Sequence, residues 1–521
     1  MNLEAAVMRP LFGFLLVAYL ITASGHLYLG DAWAMVRTAE SVVTRGTLAI
    51  DFDAGFGGKR GPDGRFYAKY GAGIVVHMLA PAAVGHALSL LIPAERVAER
   101  RILTGLPASF VNAPCAALIG TLFYGTALAL GYRARGAVWA TFALTFGTML
   151  WPYSKYDAFE PQMTAALMLG VYHAVRSRPG TSFAAGLACG WAMLVKPVAV
   201  LVAAPLGLYV WSRRGRRSVL FFAAGPALAV ALTLAYDLVR FGNAFETGYS
   251  AEVQSYTIPL WMGLYGLLVS IGKGLVWYSP ALVFAWLGRA RFRERHPAEW
   301  KLCLGTFALH LLFYAGMQNW DGDWSWGPRY LLPCLPLLML GALPLCAEPP
   351  TGWRRMALGA FGAFAMFVQV LGVAVNPSDY VSWISGHKAE LGDFLHQPKK
   401  VYIPWHPHHF NPDFSPLRGH LHLLRETLAV AAGAAPRPMV IYSSVEEHND
   451  EAGHTLEKVM EIPVTPRQLG FDLWVPVLVG LAGGHVAPAL GVWIAFMILA
   501  LLLVRQRRLV WRMVRLSEME D

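Results

Sequence analysis

The sequence predicts an all-α polytopic protein that crosses a lipid bilayer about twelve or thirteen times. Of its 521 residues, 56% are hydrophobic and only 15% are charged, whereas soluble domains carry about 25% charged residues. Apolar stretches long enough to span a bilayer recur along the chain, and short arginine-rich loops separate them. These observations exclude a soluble protein with one large core.

Thirteen apolar segments are candidates for membrane-spanning helices. Lys196-Pro197 separates two of them and predicts a tight turn between two short spans, because a charge followed by proline interrupts a helix. Pro81 lies within segment 72–92, which either crosses the membrane fully or re-enters on the same side. The first segment is too long for a cleaved signal and is predicted to be retained. The segments are 10–29, 72–92, 104–131, 137–152, 161–175, 182–195, 197–211, 218–237, 267–288, 300–317, 331–347, 356–375 and 484–504.

The arginine clusters predict the orientation of the chain. Basic loops face the cytoplasm, so both termini are expected inside. If segment 72–92 re-enters, Glu95–Arg101 is the one strongly basic run that would lie outside. This accounts for the net charge of +10 without a nucleic-acid partner. A multi-pass protein of the bacterial inner membrane, with its active site on the periplasmic side, is predicted. The clusters are Arg133 and Arg135; Arg176 and Arg178; Arg213, Arg214, Arg216 and Arg217; Arg289, Arg291, Arg293 and Arg295; Arg354 and Arg355; and Arg505, Arg507 and Arg508.

Three parts follow from this pattern. Residues 1–375 form a transmembrane module that includes an extracytoplasmic loop over 30–71. Residues 376–480 are hydrophilic, contain the turn residues Asn411–Asp413, and are long enough for a small extracytoplasmic domain of mixed structure. Residues 481–521 form the last span and a basic cytoplasmic tail.

Asp31 directly follows the first span and is the leading candidate for a catalytic base. A carboxylate at a membrane boundary, flanked by Tyr28 and Trp33, can deprotonate an acceptor hydroxyl. It can equally be the N-cap of a helix over 32–45, since aspartate is a favoured cap. That helix has apolar residues at helical spacing and is predicted to lie on the membrane surface.

Two outer loops carry further candidates beside aromatic residues. Tyr67 and Lys69 lie in the first loop, where they can bind a lipid phosphate or simply anchor the chain at the interface. In the loop before residue 161, Glu160 is the second candidate catalytic residue, although it can also cap the next helix. The substrate-binding candidates in that loop are Tyr153, Lys155 and Asp157.

A charge at Lys196, between two spans, is costly unless it is paired or faces water. Phosphate binding and snorkelling to the interface both explain it. Lys273 is a further candidate for substrate binding.

The tryptophan-rich loop 319–330 is the least ordinary stretch of the chain. Its tryptophans can form an interfacial belt or stacking walls for a sugar ring, and an arginine at the start of a span suits a phosphate. The substrate-binding candidates here are Trp320, Asp321, Asp323, Trp326 and Arg329.

No cofactor is predicted with certainty, and a divalent metal is the one that the sequence leaves open. Five histidines cluster between residues 406 and 422, but their spacing matches no known metal site. The five cysteines lie in or beside apolar stretches without CxxC spacing and are expected to be buried thiols. No P-loop is present, so ATP-driven transport is not supported. The histidines are His406, His408, His409, His420 and His422.

The order of these short motifs resembles the GT-C superfamily of integral membrane glycosyltransferases. The most similar branch contains the protein O-mannosyltransferases and the lipid A aminoarabinose transferase. The resemblance covers about residues 10–375. The motifs are Asp31 after the first span, Tyr153-Ser154-Lys155 leading to Glu160, the turn Val195-Lys196-Pro197, and the loop from Trp324 to Tyr330.

The resemblance implies a mechanism and a set of partners. The donor would be a sugar on a polyprenyl phosphate, and the acceptor a lipid, a polysaccharide or a protein. Asp31 would activate the acceptor hydroxyl, with inversion at the anomeric carbon. Lys69, Lys196 and Arg329 would stabilise the leaving phosphate, and Glu160 would orient the donor or the partners of Asp31.

Two other functions are compatible with many spans. A transporter or flippase of a lipid-linked glycan would place charges near the middle of its spans and often shows internal repeats. Here the charges gather at one boundary and no repeat is visible, which favours the enzyme. A non-catalytic scaffold would leave the tryptophan-rich loop unexplained.

Overall fold

The structure is a computed structural model that describes residues 6–28, 30–50, 58–176, 178–249, 256–322, 325–385, 407–433, 445–449, 455–459, 471–481 and 486–520. Helices make up most of these residues, and the few strands are short. The predicted all-α class is therefore confirmed.

The first half of the chain alternates long helices with short loops. A loop between the second and third helices contains a small antiparallel sheet in the order β1-β3-β2. Its strands are β1 (Ala49–Ile50), β2 (Gly58–Arg60) and β3 (Phe66–Ala68). The helices are α1 (Met8–Ile21), α2 (Gly30–Arg45), α3 (Ala72–Ser89), α4 (Val97–Gly105), α5 (Asn112–Ala129), α6 (Ala134–Gly147), α7 (Leu150–Tyr153), α8 (Glu160–Val175), α9 (Thr181–Val195) and α10 (Val200–Phe241).

The second half is more interrupted. Short 3₁₀ segments precede or join several of its helices, and β4 (Val445–Asn449) pairs with β5 (Thr455–Val459). The helices are α11 (Leu260–Leu268), α12 (Leu275–Tyr278), α13 (Leu282–Arg295), α14 (Pro297–Ala315), α15 (Leu335–Met339), α16 (Leu343–Ala347), α17 (Trp353–Ala374), α18 (Pro377–Ser385), α19 (Pro407–Phe410), α20 (Pro416–Ala431), α21 (Trp474–Leu481) and α22 (Val486–Glu520).

The predicted break at Lys196-Pro197 is present. Helix α9 ends at Val195, and Lys196 is extended with φ −150°, as expected for a residue before proline. A 3₁₀ turn over Pro197–Ala199 then leads into α10.

Helix α10 contains a second break, at Gly215, whose φ of 79° is not helical. A methyl group added at Gly207 would lie 3.3 Å from the Phe222 ring. One continuous helix would hold these two residues about 22 Å apart, so the chain doubles back at Gly215. The predicted segments 197–211 and 218–237 are therefore two antiparallel arms with the arginine-rich turn between them.

Several predicted segments differ from the structure, among them the first segment and segment 267–288. The first helix ends at Ile21 rather than continuing to residue 29. Segment 267–288 is not one helix, because α12 ends at Tyr278 shortly before Pro280 and the glycine-containing stretch before it is not helical. In segment 267–288, glycines and Pro280 interrupt the helix.

Among the described residues, six helical stretches are long and apolar enough to cross a membrane by length and composition. Segment 72–92 corresponds to one of them, although α3 contains Pro81. Two shorter apolar helices are α1 and α9. The total number of crossings stays a prediction. The six are Ala72–Ser89, Val97–Ala129, Pro197–Phe241, Arg329–Ala347, Trp353–Ala374 and Val486–Met519.

Close packing of glycines holds α9 against the second arm of α10. A methyl group added at Gly225 would lie 2.0 Å from the carbonyl oxygen of Gly186, and one added at Gly190 would lie 2.4 Å from that of Gly225. Small residues allow two backbones to approach this closely, which is a common way for helices to associate in membranes. This contact holds α9 in place, and Lys196 directly follows its C-terminal end.

The predicted extracytoplasmic domain at 376–480 is described only in parts. A small cluster of buried side chains joins α18 to α20 and contains Val375, Tyr380, Ile384, Phe414 and Leu423. The domain as a whole stays a prediction.

Candidate functional site

Glu160 and Lys196 form an ion pair at the ends of two helices. Glu160 is the first residue of α8, and Pro161 behind it favours a helix start. Its Oε1 accepts a hydrogen bond of 2.8 Å from Nζ of Lys196. The Glu160 side chain is buried, whereas 19% of the Lys196 side chain is exposed. The ion pair is therefore accessible at the protein surface through the lysine.

Arg329 lies near the same aromatic ring as Lys196, the ring of Tyr330. Nζ of Lys196 lies 4.9 Å from the centre of the Tyr330 ring, and the guanidinium carbon of Arg329 lies 5.0 Å from it. Tyr314 stacks on this ring with a centroid separation of 4.2 Å. We call Glu160, Lys196, Arg329 and Tyr330 the Tyr330 cluster.

The charges of the Tyr330 cluster keep Glu160 ionised. Burial acts to raise the pKa of the Glu160 carboxyl, but the positive charges of Lys196 and Arg329 outweigh it, and the pKa lies below its usual value. Two cations and one carboxylate leave the cluster with a net positive charge. Such a cluster can bind an anion at its partly exposed lysine.

Lys69 lies on a segment that packs against the end of α9. Its Nζ is 5.2 Å from the Tyr249 ring and 5.7 Å from the Tyr70 ring. A methyl group added at Gly71 would lie 2.2 Å from the carbonyl oxygen of Leu194, just before Lys196. Tyr70 also packs edge-on against Phe159, the residue before Glu160. The structure thus brings the Lys69 segment beside the Tyr330 cluster.

Asp31 lies inside the first turn of α2, which begins at Gly30, so it is not the N-cap that the sequence allowed. Its side chain is half-buried and makes no hydrogen bond or ion pair with the part of the chain that the structure describes. Within the described residues, its carboxylate is therefore not engaged by another polar group.

The segment before Asp31 is tied to the loop before Glu160. The carboxylate of Asp157 accepts a hydrogen bond of 2.8 Å from the backbone N–H of Tyr28, and Tyr28 stacks on Tyr156 at 5.1 Å. Three residues span at most about 11 Å, so Asp31 is held near this loop. Asp157, predicted to bind substrate, serves here as the tie between the two segments.

Lys155 points into the protein rather than toward a substrate. Its Nζ lies 2.7 Å from Oδ2 of Asp472 and donates to the carbonyl oxygens of Asp472 and Val373. Both charged side chains are fully buried. His26 and Tyr28 also hydrogen-bond the Asp472 carboxylate. Lys155 therefore stabilises this buried junction and is not part of the Tyr330 cluster.

Sequence reasoning missed Asp472 because it lies in the hydrophilic region, more than 300 residues from Lys155. It also missed Tyr314. The only signal for Tyr314 was its position near the end of an apolar helix.

Two predicted tyrosines have internal partners. The hydroxyl of Tyr153 donates to the carbonyl oxygen of Trp326 at 3.1 Å, and its ring is fully buried. The hydroxyl of Tyr67 donates to the Asp63 carboxylate at 2.7 Å within the small sheet. These hydroxyls stabilise loops.

The tryptophan-rich loop is packed rather than open. Trp320 is fully buried, and the Trp326 ring lies 5.0 Å edge-on from Tyr278 and is 1% exposed. Neither indole offers a free face to a sugar. The alternative expectation, an interfacial belt, does not describe these two buried rings either.

Asp321 and Ser325 of this loop also have hydrogen-bond partners inside the protein. Asp321 accepts a hydrogen bond of 2.7 Å from His409, and Lys273 donates to the carbonyl oxygen of Ser325 at 2.7 Å. Asp323 lies outside the described residues. These contacts fix the loop that carries Arg329.

The described histidines have separate partners. His409 bonds Asp321, His420 bonds the carbonyl oxygen of Leu371, and His422 pairs with Glu426. His406 lies outside the described residues, and the His408 side chain is not described. Within the described part of the chain, no three His, Cys, Asp or Glu residues gather as metal ligands would.

Residues 105–222 match the model of a family described as dolichyl-phosphate-mannose-protein mannosyltransferase. This segment includes Glu160 and Lys196. The match confirms the resemblance predicted from the motifs and the enzyme class that it implies, a glycosyltransferase.

Two solved structures are similar to the chain, both of ArnT from Cupriavidus metallidurans. The one bound to undecaprenyl phosphate has a TM-score of 0.47 and 16% identity, covering 81% of this chain and 80% of that one. The apo structure has a TM-score of 0.45 and 16% identity, with coverage of 81% and 79%. No curated protein matches the sequence.

Proposed function

We propose that this protein is a membrane glycosyltransferase that moves a sugar from a polyprenyl-phosphate donor to an acceptor hydroxyl outside the cytoplasm. The observation that carries the proposal is the Tyr330 cluster, in which Lys196 and Arg329 contact one aromatic ring beside the buried carboxylate of Glu160. The family that residues 105–222 match is described by a donor of this kind.

The Tyr330 cluster suits the phosphate of such a donor. Lys196 is partly exposed, so its ammonium can exchange part of its contact with Glu160 for a phosphate oxygen. Arg329 adds a second positive charge that stabilises the phosphate as its bond to the sugar breaks. Glu160 keeps the two cations in place and balances part of their charge when the site is empty.

Asp31 is the proposed base. Its carboxylate removes the proton of the acceptor hydroxyl as that oxygen attacks the anomeric carbon. The bond from the anomeric carbon to the phosphate oxygen breaks, and the lipid phosphate leaves with the electron pair. A single displacement of this kind inverts the anomeric configuration.

The arginine-rich turn at Gly215 lies at one end of the first arm of α10, and Lys196 lies at the other end. Because basic loops face the cytoplasm, this arrangement supports a site on the extracytoplasmic side of a bacterial inner membrane. The polyprenyl chain would then remain in the bilayer while its phosphate reaches Lys196. The acceptor is a hydroxyl-bearing lipid, polysaccharide or protein.

The proposal is tested with purified protein and a panel of polyprenyl-phosphate monosaccharides. We expect release of polyprenyl phosphate in step with a new glycosidic product when membrane extract supplies the acceptor. In proteoliposomes, a flippase would move the donor across the bilayer intact. Movement of intact donor without product would favour that alternative and contradict the proposal.

A further inference from the structure

Four side chains on four helices form one hydrogen-bonded chain that ends at the loop before Glu160. Nε1 of Trp191 donates to Nε2 of His77 at 3.2 Å, and Nδ1 of His77 lies 2.7 Å from Oε1 of Gln162. Nε2 of Gln162 donates to Oδ1 of Asn112 at 3.4 Å. We call these four residues the His77 chain.

The chain ends on the backbone of the loop. Nδ2 of Asn112 donates to the carbonyl oxygens of Tyr156 and Ala158, at 2.5 and 2.7 Å. Asn112 is 3% exposed and Gln162 is 1% exposed. Buried polar groups of this kind lie in apolar helices only where their bonds are satisfied.

The two ends of the His77 chain determine the direction of every hydrogen bond in it. The carbonyl oxygens of the loop only accept, so the Asn112 amide nitrogen faces them and its oxygen faces Gln162. The Trp191 indole only donates, so Nε2 of His77 accepts and Nδ1 carries the proton. His77 is therefore neutral and donates to Gln162, and the chain has one direction from Trp191 to the loop.

The loop at 156–158 connects both candidate carboxylates. On one side, Asp157 and Tyr156 hold Tyr28, three positions before Asp31. On the other side, Glu160 follows Ala158 and pairs with Lys196. Movement of this loop would change the distance between the base and the phosphate-binding cations.

We propose that His77, Gln162 and Asn112 are positioning residues, which hold the 156–158 loop and thereby align Asp31 with the Tyr330 cluster. This inference rests on the proposed function, since the alignment matters only if these groups act on one substrate. None of the three needs to touch the substrate.

The first test measures transfer by Asn112→Leu, with Thr121→Val as the control. Thr121 is buried on the same helix, but its hydroxyl bonds only the carbonyl oxygen of Ala117 in that helix. We expect kcat to fall about tenfold to a hundredfold in Asn112→Leu, because misplacement of reacting groups by about 1 Å has effects of this size. The KM for the donor should change less, because Lys196 and Arg329 remain.

The second test uses the direction of the chain. Asn in place of His77 can present an N–H close to the position of Nδ1, whereas Leu cannot. His77→Asn should therefore retain more of the kcat than His77→Leu. The double variant His77→Leu with Gln162→Leu should be no slower than the slower single variant, because both interrupt the same chain.

Hydrogen exchange tests the positioning claim without any substrate. In Asn112→Leu, peptides that cover residues 153–160 should exchange faster than in the wild type, and in Thr121→Val they should not. Unchanged exchange there, or a kcat in Asn112→Leu equal to that of Thr121→Val, would overturn the inference. If the wild type transfers no sugar, the proposed function fails, while the exchange result still decides whether the chain holds the loop.

Discussion

At the residue scale, the Tyr330 ring is the point where two separate predictions meet. Lys196 was a candidate because a charge between two spans needs a partner or water, and Arg329 because an arginine at the start of a span suits a phosphate. Their common contact with Tyr330 and the ion pair to Glu160 could not be predicted, because the three residues come from different helices. The sequence singled out these two charges, and the fold brings them to the same aromatic ring.

Replacing Lys196 with Met should raise the KM for the polyprenyl-phosphate donor about tenfold or more, because a hydrogen bond to a charged group contributes about 1.5–3 kcal/mol. Arg329→Met should act in the same direction. Steady-state kinetics with one donor checks both, and Lys301→Met is the control, since it removes an exposed lysine from the start of α14. A donor KM for Lys196→Met equal to that of the control would remove the cluster from phosphate binding.

At the element scale, the arms of α10 and the end of α9 determine where Lys196 lies. The break at Lys196-Pro197 was predictable from the charge and the proline. The chain reversal at Gly215 was predictable only as a basic loop between two apolar segments. The contact of Gly186 with Gly225 was not predictable, because glycines are frequent in apolar helices and only the fold pairs them.

Gly225→Ala should destabilise the protein by about 1–3 kcal/mol, because the added methyl group meets the backbone of α9 and forces the two helices apart. Thermal unfolding in detergent checks this. Gly305→Ala is the matched control, since a methyl group there meets nothing within 4 Å. Equal unfolding temperatures of the two variants would show that the glycine contact does not hold α9 in place.

At the scale of the whole molecule, Asp472 joins the end of the hydrophilic region to the start of the transmembrane module. Its carboxylate meets Lys155 and His26, and the backbone N–H of Trp474 donates to the carbonyl oxygen of Ala23. The last helices of the chain are thereby tied to the first. Sequence reasoning treated Lys155 as a ligand for substrate because its partner lies hundreds of positions away.

Lys155→Met should destabilise the protein by about 3–5 kcal/mol, because it leaves the buried carboxylate of Asp472 without its ammonium partner. The double variant Lys155→Met with Asp472→Leu should recover part of that loss, since no charge is then left buried. Thermal unfolding of the two variants tests this order.

The control for that pair is Glu348→Gln, which weakens an exposed ion pair with Arg295 and should leave the unfolding temperature nearly unchanged. If Lys155→Met is as stable as this control, the buried pair is not the link that we describe between the two ends of the chain.

The central claim is that Asp31 is the base for sugar transfer from a lipid phosphate. The most direct measurement is the turnover of Asp31→Asn beside the wild type, with donor binding and unfolding temperature recorded for both. We predict turnover reduced at least a hundredfold, because Asn cannot act as a base. Folding and donor binding should be intact, because Asp31 makes no hydrogen bond or ion pair within the described part of the chain that Asn would break. Wild-type turnover in Asp31→Asn would contradict the account.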